Sequence, residues 1–434
     1  MTANRIKYEN CIVKKAIIKS NVDGEEVDLR KCVEVHYEES LFSDSIEVNF
    51  IIANRAGTVR GLTLAEGLPL VGTEDFELHL QDPKNNVIKV KLNVNKVIPI
   101  KKDTQQEQIG LALTSEEFIR NEERASAVVK RYDGKVSKHI SDILSDNLGT
   151  EKELFIDETS NNYNFIGNVR KPLYTINWLA KKSIPISDGK KGQSAGFMFY
   201  ETSEGYHFKS IDSLFAQDQV GSYIFSDTPD VLENTDQYDD EIVRMTTQNK
   251  IIANQKYRMG TFSTKLIAFN PFNCEYKIIE QDAFDTEDGT THAGKKLPIL
   301  NEKFSAAPTR TTYVLKDTGT LPTGADPREQ VKKHEEETFE VESILNQASR
   351  RYNQLSLGAV EIDIAPDFAI HAGQCVFIDV PDTGGGSKDK FISGKYLIAT
   401  CKHGIRAGKG VTKLKLVRDS FGRKGKPHSG STMK

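Results

Sequence analysis

Several stretches of this chain carry residue types that could do chemistry, and each departs from the spacing that chemistry requires. His334-Glu335 opens like the HExxH pair of a zinc hydrolase, which sets two imidazoles one helical turn apart on the same metal. The second His position holds Thr338, so the ligand set is incomplete. Asp285-Thr286-Glu287-Asp288-Gly289 has the carboxylates of a calcium loop, but its glycine stands fifth, where that loop needs an oxygen ligand. Gly384-Gly385-Gly386-Ser387-Lys388 lacks the Gly-Lys-Ser/Thr ending that cradles phosphate, and a hairpin loop accounts for it. Gly260-Thr261-Phe262-Ser263-Thr264 misses the last glycine of a nucleophile elbow. Glu233, Asp236, Asp239, Asp240 and Glu241 cluster without a base, which reads as a solvated loop. The nine histidines show no ligand spacing, and His36 and His79 fall on the polar side of strands. Paired glycosidase carboxylates leave no local spacing to read. The residues therefore nominate no catalytic group, no metal ligand and no cofactor site, and the chain reads as a protein that is not an enzyme.

Length and composition set the frame. A chain of 434 residues should hold two to four domains. Lys+Arg of 58 against Asp+Glu of 62 gives a net charge of −4, so no global field recruits nucleic acid or anionic membrane. Cys11, Cys32, Cys274, Cys375 and Cys401 are odd in number and scattered, as buried thiols in a reducing compartment would be. No apolar h-region follows Met1, and no run approaches the ~18 residues of a membrane span. Synthesis in a cytoplasm without a classical export signal is the expectation.

The elements follow from periodicity. Between residues 5 and 100, apolar and polar residues alternate, as in Val33, Val35, Tyr37 and again in Ile46, Val48, Phe50. Asp23-Gly24 signals a hairpin, and the turn at 82–86 joins Phe76, Leu78, Leu80 to Ile88, Val90, Leu92 in a second one. From Gly358 to Arg418 the same period returns in four runs, marked by Val360, Val376, Leu397 and Leu414. Gly72 and Gly373 each stand where the chain reverses into a strand, a weak internal echo.

Between these ends the pattern mixes. Thr114-Ser115-Glu116-Glu117 has a capping-box spacing, and Ser137 is placed to cap a helix bearing Ile140, Ile143 and Leu144. Pro172 opens a helix holding Trp178, and Ser210 caps a short one. Strands return from Tyr257 to Ile279. Val341, Ile344, Leu345, Ala348, Tyr352 and Leu355 then form one helical stripe, with Arg350 and Arg351 expected on the opposite, wet side. Residues 421–434 are basic and rich in turn formers, and are expected to be disordered.

At this point the sequence resembles a known family. Tyr37-Glu38-Glu39-Ser40-Leu41-Phe42-Ser43-Asp44-Ser45-Ile46 and Leu68-Pro69-Leu70-Val71-Gly72-Thr73-Glu74 resemble the first domain of the baseplate central hub of contractile-tailed, T-even-type bacteriophages. Segments from Lys171-Pro172 to Ala180 and from Gly196 to Ile211 are similar to its middle. Met259 to Ile267, Phe391 to Ile398, and Lys402-His403 are similar to the remainder.

The resemblance implies an α+β, mainly β fold with two tail-tube-like antiparallel β-barrels around an α+β middle, one barrel discontinuous in sequence. The implied domains are a first barrel at 1–103, a middle at 104–256, and a second barrel at 257–282 plus 356–420. An insertion at 283–355 and the tail at 421–434 complete the chain.

It also implies a homotrimer that imitates a six-membered ring. The partners would be the hexameric tail tube or a tube-initiating protein, the trimeric central spike and the surrounding baseplate wedge proteins, with DNA only in transit through the lumen. The location would be the virion's tail baseplate, assembled in the host bacterium's cytoplasm. No cofactor is implied. The spike base of a type VI secretion machine shares this architecture and would want a spike β-helix downstream, where this sequence stops at Lys434. A cell-wall hydrolase is a third reading, without a surviving motif. A glycan-binding module is a fourth, poorly served by one tryptophan.

Overall fold

The computed structural model describes residues 9–427 except 56–58, 60–61, 103–105, 187–194, 226–237, 248–252, 272–273, 283–289, 296, 299–300, 302, 304–307, 317–325, 330–340, 383–387 and 390. His334-Glu335, the stretch at 285–289 and the glycine run at 384–386 lie outside the described residues.

The fold is mainly β. Ile12–Lys19, Glu26–Asp28, Glu34–Ser40, Glu47–Arg55, Asp75–Gln81, Val87–Lys102 and Gln106–Thr114 build the N-terminal half. Both expected hairpins form: Ile17 faces Asp28 across the Gly24 turn, and Leu78 faces Val90 across the 82–86 turn. Alternation puts Val35, Tyr37, Phe50, Phe76, Leu78 and Leu111 in one core. In the C-terminal half, Gly358–Ile364, Cys375–Asp379, Gly394–Arg406 and Lys409–Arg418 bury Ile362, Val376, Ile398 and Leu414. Gln219–Ile224 pairs in parallel with Cys375–Asp379, and Arg244–Thr247 pairs with Gly358–Ile364, so strands from the central sequence complete this half.

The two halves share one sheet. Glu34–Ser40 pairs antiparallel with the second part of Gly394–Arg406, from Ser40 opposite Thr400 to Glu34 opposite Arg406. Among the described residues neither half closes into a hydrogen-bonded barrel, contrary to the expectation of two. Each half has spent an edge on the other, which satisfies the backbone groups that barrel closure would otherwise satisfy.

The central region carries a three-stranded sheet of Glu153–Ile156, Phe197–Thr202 and Gly205–Ser210. The helices Val136–Asp142 and Pro172–Ala180 share its core through Ile140, Ile176, Leu179, Phe197 and Phe208. Pro172 opens its helix, and Ser210 caps the next by accepting from Ser213 N at 3.0 Å. Two expected caps differ. Ser137 lies inside its helix, and its amide donates to Thr159 Oγ1 at 3.0 Å, a cap supplied from another segment. The capping box expected at 114–117 does not form: Thr114 ends its strand, and Ser115 takes the N-cap position with its hydroxyl donating to Glu201.

Ser263–Phe269 and Tyr276–Asp282 pair with Arg310–Leu315 in a sheet of their own. The Val341–Gln354 helix packs on it. Ile344 and Ala348 are buried as expected and Leu345 is half-buried. Arg350 and Arg351, expected on the wet side, are 1% and 2% exposed. The helix is wedged between two layers, so both of its faces are covered. Residues 421–427 also differ from expectation: Phe421 stacks on Phe391 and Arg423 pairs with Asp379 at 2.8 Å. Residues 428–434 lie outside the described residues.

Candidate functional site

The seam between the halves presents a continuous polar face. Antiparallel register aligns Arg244, Asp363, Lys413, Lys402, Glu38 and Glu47 in one row across six strands. A neighbouring row holds Thr246, Glu361, Lys415, Thr400 and Ser40. Lys413 faces Lys402 and Glu38 faces Glu47, but each base of these two rows also faces an acid on one side. Lys402 Nζ reaches Glu38 Oε2 at 3.2 Å, and Lys413 Nζ lies 3.7 Å from Asp363 Oδ2. A shallow groove of about 370 Å³ runs among Arg244, Glu361, Asp363, Lys402, Lys413 and Glu38. With Arg406, Lys409 and Glu34 in the outer row, six bases stand against five acids: Arg244, Lys402, Arg406, Lys409, Lys413 and Lys415 against Glu34, Glu38, Glu47, Glu361 and Asp363. The face is close to neutral, and Lys402 and Lys413 are paired within it.

Behind it lies an unusually polar core row. His403, with no exposed surface, stands opposite both Tyr37 and Thr412, stacks on the Tyr37 ring at 5.9 Å, and meets Thr412 Oγ1 at 2.9 Å. Burial pushes its imidazole down to about 4, so it stays neutral near pH 7.

Beside the seam a buried carboxylate joins three segments. Glu39, at 0% exposure, accepts from Tyr37 Oη at 2.7 Å, from Ser203 N at 2.9 Å, from His371 Nδ1 at 3.1 Å and from Ala372 N at 3.1 Å. Burial alone would raise its pKa, but the His371 charge and these hydrogen bonds hold it below the usual value. Burial alone would lower His371, and Glu39 raises it instead. Glu201 does the same work between the N-terminal half and the centre. It accepts from Ile46 N at 3.0 Å and from Ser115 Oγ and Lys152 Nζ at 2.6 Å. Burial leaves Glu201 above its ordinary value despite Lys152, which also binds Glu117 at 2.6 Å.

A second buried network anchors the Val341–Gln354 helix. Arg351 donates to Asp419 Oδ2 and Asp212 Oδ1 at 2.9 Å each, and Asp419 also meets His292 Nδ1 at 2.7 Å. Burial opposes ionisation of Asp419, but His292 and Arg351 outweigh it and bring its pKa down to about 2. Arg418, 1% exposed, lies over the Tyr396 ring at 4.6 Å and the Phe421 ring at 5.3 Å.

None of these groups forms a catalytic constellation. Every polar oxygen of Glu39 is committed to holding backbone or a neighbouring side chain. Among the described residues no three His, Cys, Asp or Glu side chains converge as a metal site needs. Thr261, Ser263 and Thr264 of the glycine-260 stretch are buried. His36 and His79 pair with Glu34 and Glu77 on the strand surfaces, at 2.5 and 3.0 Å. No helix among the described residues is long and apolar enough to cross a membrane.

No family model and no curated protein matches the sequence. Solved structures do match the fold. A 43 kDa tail protein of prophage MuSo2 from Shewanella oneidensis aligns at TM-score 0.54 and 11% identity, over 95% of this chain and 100% of that one. A tail protein from Neisseria meningitidis MC58 aligns at TM-score 0.54 and 10% identity, over 93% of this chain and 97% of that one. This chain has the fold of those phage tail proteins. Its structural neighbours are of the kind that the sequence resemblance pointed to. The likeness spans nearly the whole chain, so both halves and the centre share one architecture with the tail proteins.

The sequence carried one unused signal for the Glu39 junction. Val33, Val35 and Tyr37 set an inward phase, and the next inward position is a glutamate. An acid in an apolar phase marks a buried, hydrogen-bonded carboxylate. The Arg351–Asp419–Asp212 network left no such mark, because its members come from three distant segments.

Proposed function

We propose that this chain is a structural hub of a contractile phage tail baseplate, adapting the hexameric tail tube to the trimeric central spike and forming part of the DNA channel. The observation that supports this most is the pairing of Glu34–Ser40 with Thr400–Arg406. It sets two β-rich units, near 1–103 and 356–420, side by side in one sheet, as neighbouring tube subunits would sit. Three copies would supply six units around one axis, and heterologous contacts between copies would close the ring.

The polar face of the seam suits a channel wall. Phosphate backbones are held by unpaired cations, each contact adding to a salt-dependent affinity. A wall with six bases against five acids offers DNA few uncompensated cations and lets it pass. The working partners are copies of the chain itself, a tube or tube-initiating hexamer, the spike trimer and the wedge proteins. The chain does no chemistry of its own in this reading, and it works in the virion's tail baseplate after assembly in the host cytoplasm. Native mass and electron-microscopic symmetry, with and without the spike, test it.

A further inference from the structure

The sheet of Ser263–Phe269, Tyr276–Asp282 and Arg310–Leu315 has one covered face and one bare face. Thr264, Leu266 and Ala268 point inward at 3%, 1% and 2% exposure. On the other side the register lines up Tyr276, Phe269 and Leu315 in one row and Ile278, Ile267 and Tyr313 in the next. Tyr313, Leu315, Tyr276, Ile278 and Phe269 are 76%, 69%, 68%, 48% and 40% exposed. A third row ends the patch with the Lys265–Glu280 ion pair at 2.9 Å.

At about 150–250 Å² for a whole aromatic side chain, these five leave roughly 600 Å² of apolar surface in water. That is the upper end of what a monomer exposes, and about three quarters of the ~800 Å² each partner gives to a standard interface. The occupant must therefore be a permanent one.

A second, different apolar patch lies on the central region. Val129, Ile166, Val169 and Tyr174 are 61%, 53%, 65% and 56% exposed. The bridge between Val128 and Arg170 sets Val129 beside Val169, and Arg170 covers one side of the Tyr174 ring at 5.3 Å. Two unlike patches on one chain are what a heterologous ring contact needs, whereas a two-fold dimer needs only one.

We infer that the bare face of the 263–315 sheet packs against the Val129–Ile166–Val169–Tyr174 patch of a second copy of this chain. This is the seam between copies in the closed ring, and it rests on the hub reading above. A second copy is the one partner always present in equal amount from the moment of synthesis. Obligate contacts of this kind are also the more apolar class of interface.

The test uses the full chain, alone and co-expressed with its spike, as wild type, Tyr313→Glu, Val129→Lys and the double variant. Light scattering across a dilution series gives the concentration at half-assembly. Each single variant should raise it by more than about tenfold, since a charge enters an apolar contact, and the double should recover most of the loss as the two charges meet. Both side chains are exposed in the single chain, so near-UV circular dichroism should match wild type. Hydrogen exchange on the wild type reads the same contact without substitution: assembly should slow exchange at 310–315 and 128–131. A trimer that persists in both single variants, or exchange unchanged on assembly, overturns this seam and leaves the hub reading standing. A two-fold dimer sensitive to Tyr313→Glu alone overturns the pairing of the two patches. A wild type that stays monomeric with and without the spike overturns the seam and the hub reading together.

Discussion

Glu39 Oε1 and His371 Nδ1 lie 3.1 Å apart, with side chains 0% and 9% exposed, and join the first seam strand to a loop 332 residues later. The same carboxylate takes the amides of Ser203 and Ala372, so the N-terminal half, the centre and the C-terminal half meet on one side chain. Removing its charge leaves His371 buried without a counter-ion.

Glu39→Gln should therefore lower unfolding free energy by about 3 kcal/mol, the lower end of the cost of breaking a buried pair. The loss should depend on pH. Glu39 is held below 4.5, so its contribution is present above about 4.5 and is lost as pH falls through the lower folded value. His371 is held above 6.5, so its contribution is complete below about 6.5 and is lost as pH rises through the higher folded value. Urea titrations at several pH values should find the largest gap between wild type and variant from about pH 4.5 to 6.5.

His403 works in the opposite direction. Its pKa falls from 6.5 to about 4 in the fold, so between those values the unfolded chain binds a proton that the folded chain refuses. Stability should fall as pH drops through that window, by about 3 kcal/mol at 1.36 kcal/mol per unit over about 2.5 units. His403→Gln should flatten that part of the acid limb. His207, also pushed down to about 4 by burial, should leave a residual slope. An acid limb that keeps its full slope in His403→Gln would place the titrating group elsewhere.

The carboxy-terminal segment should divide at Pro427. Asp379, with no exposed surface, is held by Arg423 Nη2 at 2.8 Å and Tyr238 Oη at 2.6 Å, and Phe421 stacks on Phe391 at 4.5 Å. Truncation after Ser420 should cost about 2–4 kcal/mol, because it leaves a buried carboxylate short of its cation. Truncation after Pro427 should leave the denaturation midpoint unchanged. Equal midpoints for the two truncations would show that Arg423 and Phe421 contribute nothing.

How much was legible in the sequence follows the range of each signal. Period-two alternation at Val35–Tyr37 and Ile362–Ile364 is local, and it gave the strands, the hairpins and the buried faces. Gly72 and Gly373 were rightly placed at turns; their φ values are +110° and +86°, and a Cβ at Gly373 would come within 2.1 Å of Tyr200 Oη. The failures are tertiary. Arg350 and Arg351 look like a solvent face until Asp419, Asp212 and the carbonyl of Asp282 arrive from elsewhere to accept from them. Ser137 looks like a cap until Thr159 supplies one. Closed barrels were expected because strand count is local, whereas the partner of each last edge is not. The basic composition of 421–427 could not reveal the buried Asp379 waiting for Arg423.

In the proposed hub, three copies form a ring in which six β-rich units surround a channel. The native mass of the chain, alone and then co-expressed with the proposed spike partner, followed by imaging of the assembled species along its axis, tests this most directly. Three copies per assembly are expected, with six similar lobes around the axis and the Glu34–Ser40 to Thr400–Arg406 sheet facing the lumen. A monomer or a two-fold dimer in both preparations would contradict it.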